Sequence, residues 1–202
     1  AILIKSGETI KRLNGAPNSN FEARLLAPSL VCEDDEEVEL RAKNQSSVIL
    51  NFDITATHVG MNRYRFLTAG DAEVAIWERL WQTYKDEPEA LEYDILETPH
   101  HCSWHVLSWD SWSECGEDAK VSEAARAALG QARYGAKIIA SSKPIRDDDG
   151  DPPCTRAKRE YESILDPVDG KFYCTGETPH SWAPAPIDID ITAAGPKVRE
   201  AA

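Results

Sequence analysis

Residues 66–73, with the sequence FLTAGDAE, mark the point where a strand ends and a helix begins. The apolar start predicts a strand, and from Asp71 to Tyr84 large apolar side chains recur every three or four residues, which is the period of one helix face. We therefore expect Asp71 at the end of a strand and the start of a helix, where its carboxylate can coordinate a cation. The alternative is that Asp71 only caps the helix, because Asp is a favoured N-cap residue.

A second stretch whose side chains could bind a metal follows a predicted buried strand, Tyr93-Asp94-Ile95-Leu96, which ends at Pro99. Residues 100–112 show neither helical nor strand period and are predicted to form a loop. They begin with His100 and His101, and imidazole is a common ligand of zinc. Neighbouring side chains of an extended chain point in opposite directions, so at most one of the two is expected to bind a metal. A structural or surface histidine pair is the alternative.

The remaining pattern predicts one α/β domain over residues 1–202, in which strands come first and then alternate with helices. Asp151 precedes two prolines and is expected to cap the last helix. Residues 1–5 look like a strand already under way, which predicts that the chain begins inside a fold. Further strands are predicted at 21–27, 46–54, 64–67, 136–140, 172–175 and 187–191, and a further helix at 122–133.

Composition excludes some classes of protein. The formal net charge of -13 argues against a broad nucleic-acid-binding surface, so any nucleic-acid activity would depend on a local site. The five cysteines are odd in number and scattered, with no spacing typical of a disulfide framework or a zinc knuckle, which favours a reducing cytoplasm. No segment has the length and apolarity of a membrane span or the pattern of a signal peptide.

Other polar features are interpreted as structural. The acidic run at residues 33–39 is predicted to be a solvated loop. His58, His105 and His180 lack partners at the spacing of metal ligands. None of these is assigned a function.

Four blocks in order resemble the ComEC-type branch of the metallo-β-lactamase superfamily. They resemble that branch's "VLAP" strand, its "NNxSLVL" strand, its "FLxTGDAE" turn and its "DxLKxPHHGS" strand end. In this chain the blocks read FEARLLAP at 21–28, NQSSVIL at 44–50, FLTAGDAE at 66–73 and DILETPHHCS at 94–103.

The resemblance implies the C-terminal half of an αββα sandwich, a mixed sheet flanked by helices. It implies a hydrolase that cleaves phosphodiesters with one or two Zn²⁺ or Mn²⁺ ions. By the same resemblance Asp71 and His100 are metal ligands and His101 is the catalytic residue, although the order of the two histidine roles stays open. A nucleic acid or nucleotide is a possible substrate.

The chain also departs from the family. The HxHxDH-type cluster, which supplies most metal ligands, occurs nowhere in the 202 residues. Asp151 stands where the family has a late histidine, and Cys102 replaces the glycine of "HHGS". The remaining ligands are too few to hold a catalytic metal tightly, so we expect the chain to need an N-terminal half or a partner chain. The alternative function is a non-catalytic binding or regulatory module that keeps the fold.

Overall fold

Seven strands form one mixed sheet in the computed structural model, which describes residues 3–28, 46–55, 62–148, 150–192 and 194–199. The acidic run at 33–39 and His58 lie outside these ranges. The strands are β1 (Thr9–Ile10), β4 (Phe21–Ala27), β5 (Ile49–Thr55), β6 (Arg63–Thr68), β7 (Tyr93–Glu97), β8 (Ala132–Ala140) and β9 (Lys171–Cys174). The sheet order is β1-β4-β5-β6-β7-β8-β9, antiparallel from β1 to β6 and parallel from β6 to β9.

Three small hairpins complete the strands of the described chain. They pair β2 (Arg12–Leu13) with β3 (Ala16–Pro17), β10 (Pro179–His180) with β11 (Ala183–Pro184), and β12 (Ile189–Thr192) with β13 (Gly195–Val198). The prediction of a strand at residues 1–5 is wrong for Leu3 to Lys5, which form no strand.

The described residues include four α-helices, none of them long and apolar enough to cross a bilayer. They are α1 (Val74–Tyr84), α2 (Trp112–Cys115), α3 (Glu123–Leu129) and α4 (Thr155–Leu165). Short 3₁₀ turns cover Pro88–Ala90, Pro99–Cys102, Trp104–Val106, Gly116–Asp118 and Asp166–Val168. The loop predicted at 100–112 therefore contains two 3₁₀ turns and the first residue of α2.

Two helix starts differ from prediction. Helix α1 begins at Val74 because the Ala72 N–H donates to the Ala69 carbonyl (3.2 Å), closing a turn, and Glu73 is the extended N-cap residue. Asp71 is therefore not the helix cap. Helix α4 begins at Thr155, not at Asp151, since each proline of the Asp151-Pro152-Pro153 run disfavours helical backbone in the residue before it.

The helix predicted at residues 122–133 is shorter than expected. Ser122 caps α3, its Oγ accepting a hydrogen bond from the Ala125 N–H (3.2 Å), and the helix ends before Gly130. Strand β8 then starts at Ala132, four residues before the predicted start at Ala136, because pairing with β7 extends it beyond its most apolar part.

One face of the sheet carries the helices and the main core. Leu67, Leu96 and Ile138 are register partners on adjacent parallel strands, and each is completely buried. Trp77 of α1, Leu129 of α3 and Tyr161 of α4 belong to the same buried cluster. Helices α1, α3 and α4 therefore pack on this face, and the predicted mixed α/β architecture is confirmed.

The opposite face of β4, β5 and β6 carries an apolar patch that none of these helices covers. Phe21, Phe52 and Phe66 are half-buried, with ring centroids 5.8 Å apart for the first pair and 6.0 Å for the second. The cross-strand pairs Leu25–Leu50 and Phe21–Ile54 extend the patch. Among the described residues, these half-buried apolar side chains thus share one face of three strands, which we call the phenylalanine face.

Candidate functional site

The sequence-predicted site residues lie at the carboxyl ends of adjacent parallel strands. Gly70 and Asp71 follow β6, His100 and His101 follow β7, and Ser141 follows β8. The His100 N–H donates to the Gly70 carbonyl (2.8 Å), so the loops after β6 and β7 are joined directly. In open α/β sheets this edge is where ligands usually bind. The structure therefore brings the backbone around Asp71 next to the histidine pair.

The histidine turn has an unusual backbone. His100, His101 and Cys102 have φ values of 46°, 54° and 69°, so three consecutive non-glycine residues are left-handed. Such residues cost on the order of 1–3 kcal/mol each and cluster at functional sites. The premise that the pair is extended is wrong, and the two rings lie with centroids 6.4 Å apart at 60°.

His100 is set against a carboxylate that sequence reasoning did not select. Its Nδ1 lies 3.5 Å from Glu73 Oε1, and this nitrogen is buried without a hydrogen-bond partner. The signal for Glu73 was present in the sequence, as a second carboxylate two residues after Asp71. A buried imidazole nitrogen beside a carboxylate has the donor chemistry of a zinc-type ligand set.

Asp71 is half-buried and is held through its backbone. Its N–H donates to Ser47 Oγ (3.2 Å), which fixes the loop between β6 and α1 against the segment before β5. Because Glu73 is the N-cap of α1, the side chain of Asp71 does not serve as the cap. The cap-only explanation of Asp71 is therefore wrong.

His101 is exposed, and its ring orientation is fixed by a carbonyl. Nδ1 lies 2.7 Å from the Ser141 carbonyl oxygen, which only accepts hydrogen bonds, so Nδ1 carries the proton. In the neutral ring, Nε2 is then the nitrogen with a free lone pair. This tautomer is the one that an imidazole needs to accept a proton or bind a metal through Nε2.

Asp151 contacts the loop after the histidine pair. Its Oδ1 accepts a hydrogen bond from the Trp104 N–H (3.0 Å), and its Oδ2 lies 3.9 Å from His105 Nε2. Oδ2 is buried and makes no hydrogen bond. The structure thus places Asp151 beside His105, two residues that we had considered separately in the sequence. Asp151 also supports the Trp104–Val106 turn.

Cys102 is a packed thiol in this structure. It is completely buried, and burial raises its pKa, with further increases from Cys154, Cys174 and Asp151. A raised pKa keeps the sulfur protonated at neutral pH, whereas metal binding needs the thiolate. Cys102 therefore fills space in the turn where the resembling motif has glycine.

The donor chemistry at this edge fits a metal, but the number of ligands does not. Among the described residues, no three His, Cys, Asp or Glu side chains converge in a way that could hold a metal ion. Protein-family models, curated proteins and solved structures were compared with this chain, and none matches it.

Proposed function

We propose that this chain supplies part of the active site of a metal-dependent hydrolase that cleaves phosphodiesters. Asp71 and His100 are the proposed metal ligands, and His101 is the proposed catalytic residue that handles a proton through Nε2. The observation that carries the proposal is the left-handed histidine turn, fastened to the Asp71 loop by the His100 N–H bond to the Gly70 carbonyl (2.8 Å). The resemblance of the same two blocks to the metallo-β-lactamase motifs supports the assignment.

In this proposal the remaining metal ligands come from an N-terminal half of the same fold or from a partner chain. The phenylalanine face supports this arrangement, because an apolar sheet face that is half-buried among the described residues can pack against a further layer. A second sheet on this face would complete the αββα sandwich that the resemblance implies. The site would then take Zn²⁺ or Mn²⁺.

Substrate and compartment are also part of the proposal. A nucleotide or nucleic-acid phosphodiester is the proposed substrate class, again from the resemblance. The cytoplasm is the proposed compartment, supported by four cysteines that are free in the structure, Cys102, Cys115, Cys154 and Cys174.

A non-catalytic binding or regulatory module is the second candidate function. The observation that favours it is that the described residues contain no three-ligand cluster. The hydrogen bonds of Asp71 to Ser47 and of His101 to Ser141 are also contacts that a purely structural loop would make. The two candidates differ in whether Asp71 and His100 bind metal.

Metal titration of the purified chain separates them. Calorimetry with Zn²⁺ and with Mn²⁺ would be performed on the wild type, on Asp71→Ala and on His100→Ala. Asp86→Ala and His180→Ala are matched controls, because both residues are exposed and lie outside the site. The hydrolase proposal predicts weak binding that falls at least about tenfold in the two site variants, one factor of ten corresponding to 1.4 kcal/mol, and is unchanged in the controls.

Activity gives the second measurement. When the completing half or partner is added, the wild type should hydrolyse bis(p-nitrophenyl) phosphate, and Asp71→Ala should abolish hydrolysis with little loss of fold. Equal activity of the wild type and Asp71→Ala would remove Asp71 from the site. If neither metal binds the chain alone or together with a co-purifying partner, the hydrolase proposal fails and the binding module stands.

A further inference from the structure

A cavity of about 630 Å³ lies on the face of β8 and β9 opposite helix α4. Its floor includes Lys137 of β8 and Lys171 and Tyr173 of β9. Its other wall is the β12–β13 hairpin and the residue after it, which contribute Lys197 and Arg199. The volume lies in the range of about 300–1,000 Å³ that is usual for small-molecule sites.

The charge of this cavity is opposite to that of the chain. Asp and Glu outnumber Lys and Arg by 35 to 22 in the sequence, yet the described residues that line the cavity include four cations and no carboxylate. Arg199 is neutralised by Asp190 (2.6 Å) and Asp188 (3.8 Å). Lys171 makes no ion pair with the other described residues, whereas Lys197 lies opposite Asp190 in the register of β12 and β13 and helps to lower the pKa of that carboxyl. The described residues that line the cavity therefore carry an excess of positive charge.

Two of these cations are held opposite each other by the sheet itself. Lys137 and Lys171 are register partners on the parallel strands β8 and β9, so they project from the same face. Like charges at directly opposite positions destabilise a sheet. Burial, together with the charge of Lys171, lowers the pKa of Lys137, while Asp169 acts in the opposite direction. A bound anion would relieve this repulsion.

The cations of the cavity are suited to phosphate. Lysine ammonium groups are point charges that bind phosphate from many directions, whereas the planar arginine fork binds carboxylates and phosphates in a bidentate geometry. Here the arginine is already occupied by Asp190, and the other cations of the lining are lysines. Tyr173, Ile187 and Val198 add apolar wall beside them.

We propose that this cavity binds a small organic phosphate with two or more negative charges, its phosphates between Lys171 and Lys197 and its organic part against Tyr173. The cavity is a second site, built from other residues than the Asp71 and histidine loops. It gives an acidic protein the local cationic site that a phosphorylated ligand needs.

Calorimetry at constant ionic strength tests this proposal with inorganic pyrophosphate and ATP as probes and citrate as a polycarboxylate of similar charge. Wild type should bind both phosphates, ATP more tightly, and citrate at least about tenfold more weakly than ATP, a factor of ten being 1.4 kcal/mol. Lys171→Glu and Lys197→Glu should each weaken phosphate binding about tenfold or more. Lys171→Met, which only removes the charge, should weaken it less than Lys171→Glu.

Lys120→Glu is the matched control, since Lys120 is exposed, lies outside the cavity and undergoes the same change of charge. Equal phosphate affinity in Lys120→Glu and Lys171→Glu would show that net charge alone is responsible and would overturn the proposal. Absence of binding by wild type, or citrate binding as tight as ATP binding, would also overturn it. Far-ultraviolet circular dichroism of each variant checks that the fold is retained.

Discussion

Asp94 connects three strands of the sheet through one buried carboxylate. It lies on β7 and is 6% exposed, and its Oδ2 accepts hydrogen bonds from the Arg65 N–H of β6 (2.7 Å) and from Arg133 Nη1 of β8 (2.8 Å). Substitution Asp94→Ala leaves the Arg65 N–H without its acceptor. It also removes the nearest acceptor of the Arg133 guanidinium, which keeps the Arg63 carbonyl (3.3 Å) and Glu92 (3.9 Å). We expect this change to be among the most destabilising single substitutions at a polar position of the described sheet.

The magnitude follows from these two contacts. Loss of the acceptor of a buried N–H costs about 1–3 kcal/mol, and removing one partner of a buried ion pair costs about 3–5 kcal/mol. The side chain of Arg133 is 40% exposed and keeps the Arg63 carbonyl as an acceptor, so water can solvate it after the change. The loss of this ion pair is therefore only about 1 kcal/mol, beside about 2 kcal/mol for the Arg65 N–H. We expect Asp94→Ala to lower the free energy of unfolding by about 3 kcal/mol, and Asp94→Asn by about half as much because one acceptor is kept.

Urea denaturation followed by tryptophan fluorescence measures this free energy. Asp86→Ala is the control, since Asp86 is exposed and its change should stay within about 0.5 kcal/mol. If Asp94→Ala lost no more stability than Asp86→Ala, the argument that this carboxylate ties β6, β7 and β8 together would be wrong.

Two further predictions concern the helices and the thiols. Ser122 caps α3, because its Oγ accepts a hydrogen bond from the Ala125 N–H (3.2 Å). Ser122→Ala should therefore lower the free energy of unfolding, measured by urea denaturation, by about 1–2 kcal/mol. An unchanged midpoint would show that the cap contributes nothing. Cys102 should resist iodoacetamide at pH 7.5 in the native state, because burial raises its pKa and shields it, whereas exposed Cys115 should react. Peptide mass spectrometry checks this, and native labelling of Cys102 would contradict the packed position; both should react in urea.

The local pattern of the sequence was sufficient for most of the elements. Strand β4 and the body of α1 lie where apolar spacing predicts them, because alternation and a period of three to four residues are properties of the chain itself. Their ends were less predictable. The turn around Gly70 and the proline run before Cys154 delay α1 and α4, and each delay depends on local hydrogen bonding or proline geometry that hydrophobic period does not record.

The sequence also identified some features of the candidate site, while others are visible only in the structure. The order of the motif blocks alone selected Asp71 and the histidine pair. The structure showed that the parallel strands β6 and β7 bring them to the same edge of the sheet. Only the tertiary structure decided that His100 and His101 sit in a left-handed turn, that Glu73 lies beside His100, and that Asp151 meets His105. These contacts join separate segments, and spacing along the chain does not specify them.

The sequence by itself determined the mixed α/β class, most of the strands and helices, and the identity of the candidate site residues. The tertiary structure decided which of them meet. It placed Lys137 opposite Lys171, joined Asp94 to the Arg65 N–H and the Arg133 side chain, and put the phenylalanine face on the side of the sheet opposite helices α1, α3 and α4. The physical reason is that hydrophobic period and secondary-structure propensity act within about one turn or one strand. Strand register and sheet order are set by packing of the whole chain, and they bring together charges and apolar faces that are distant in the sequence.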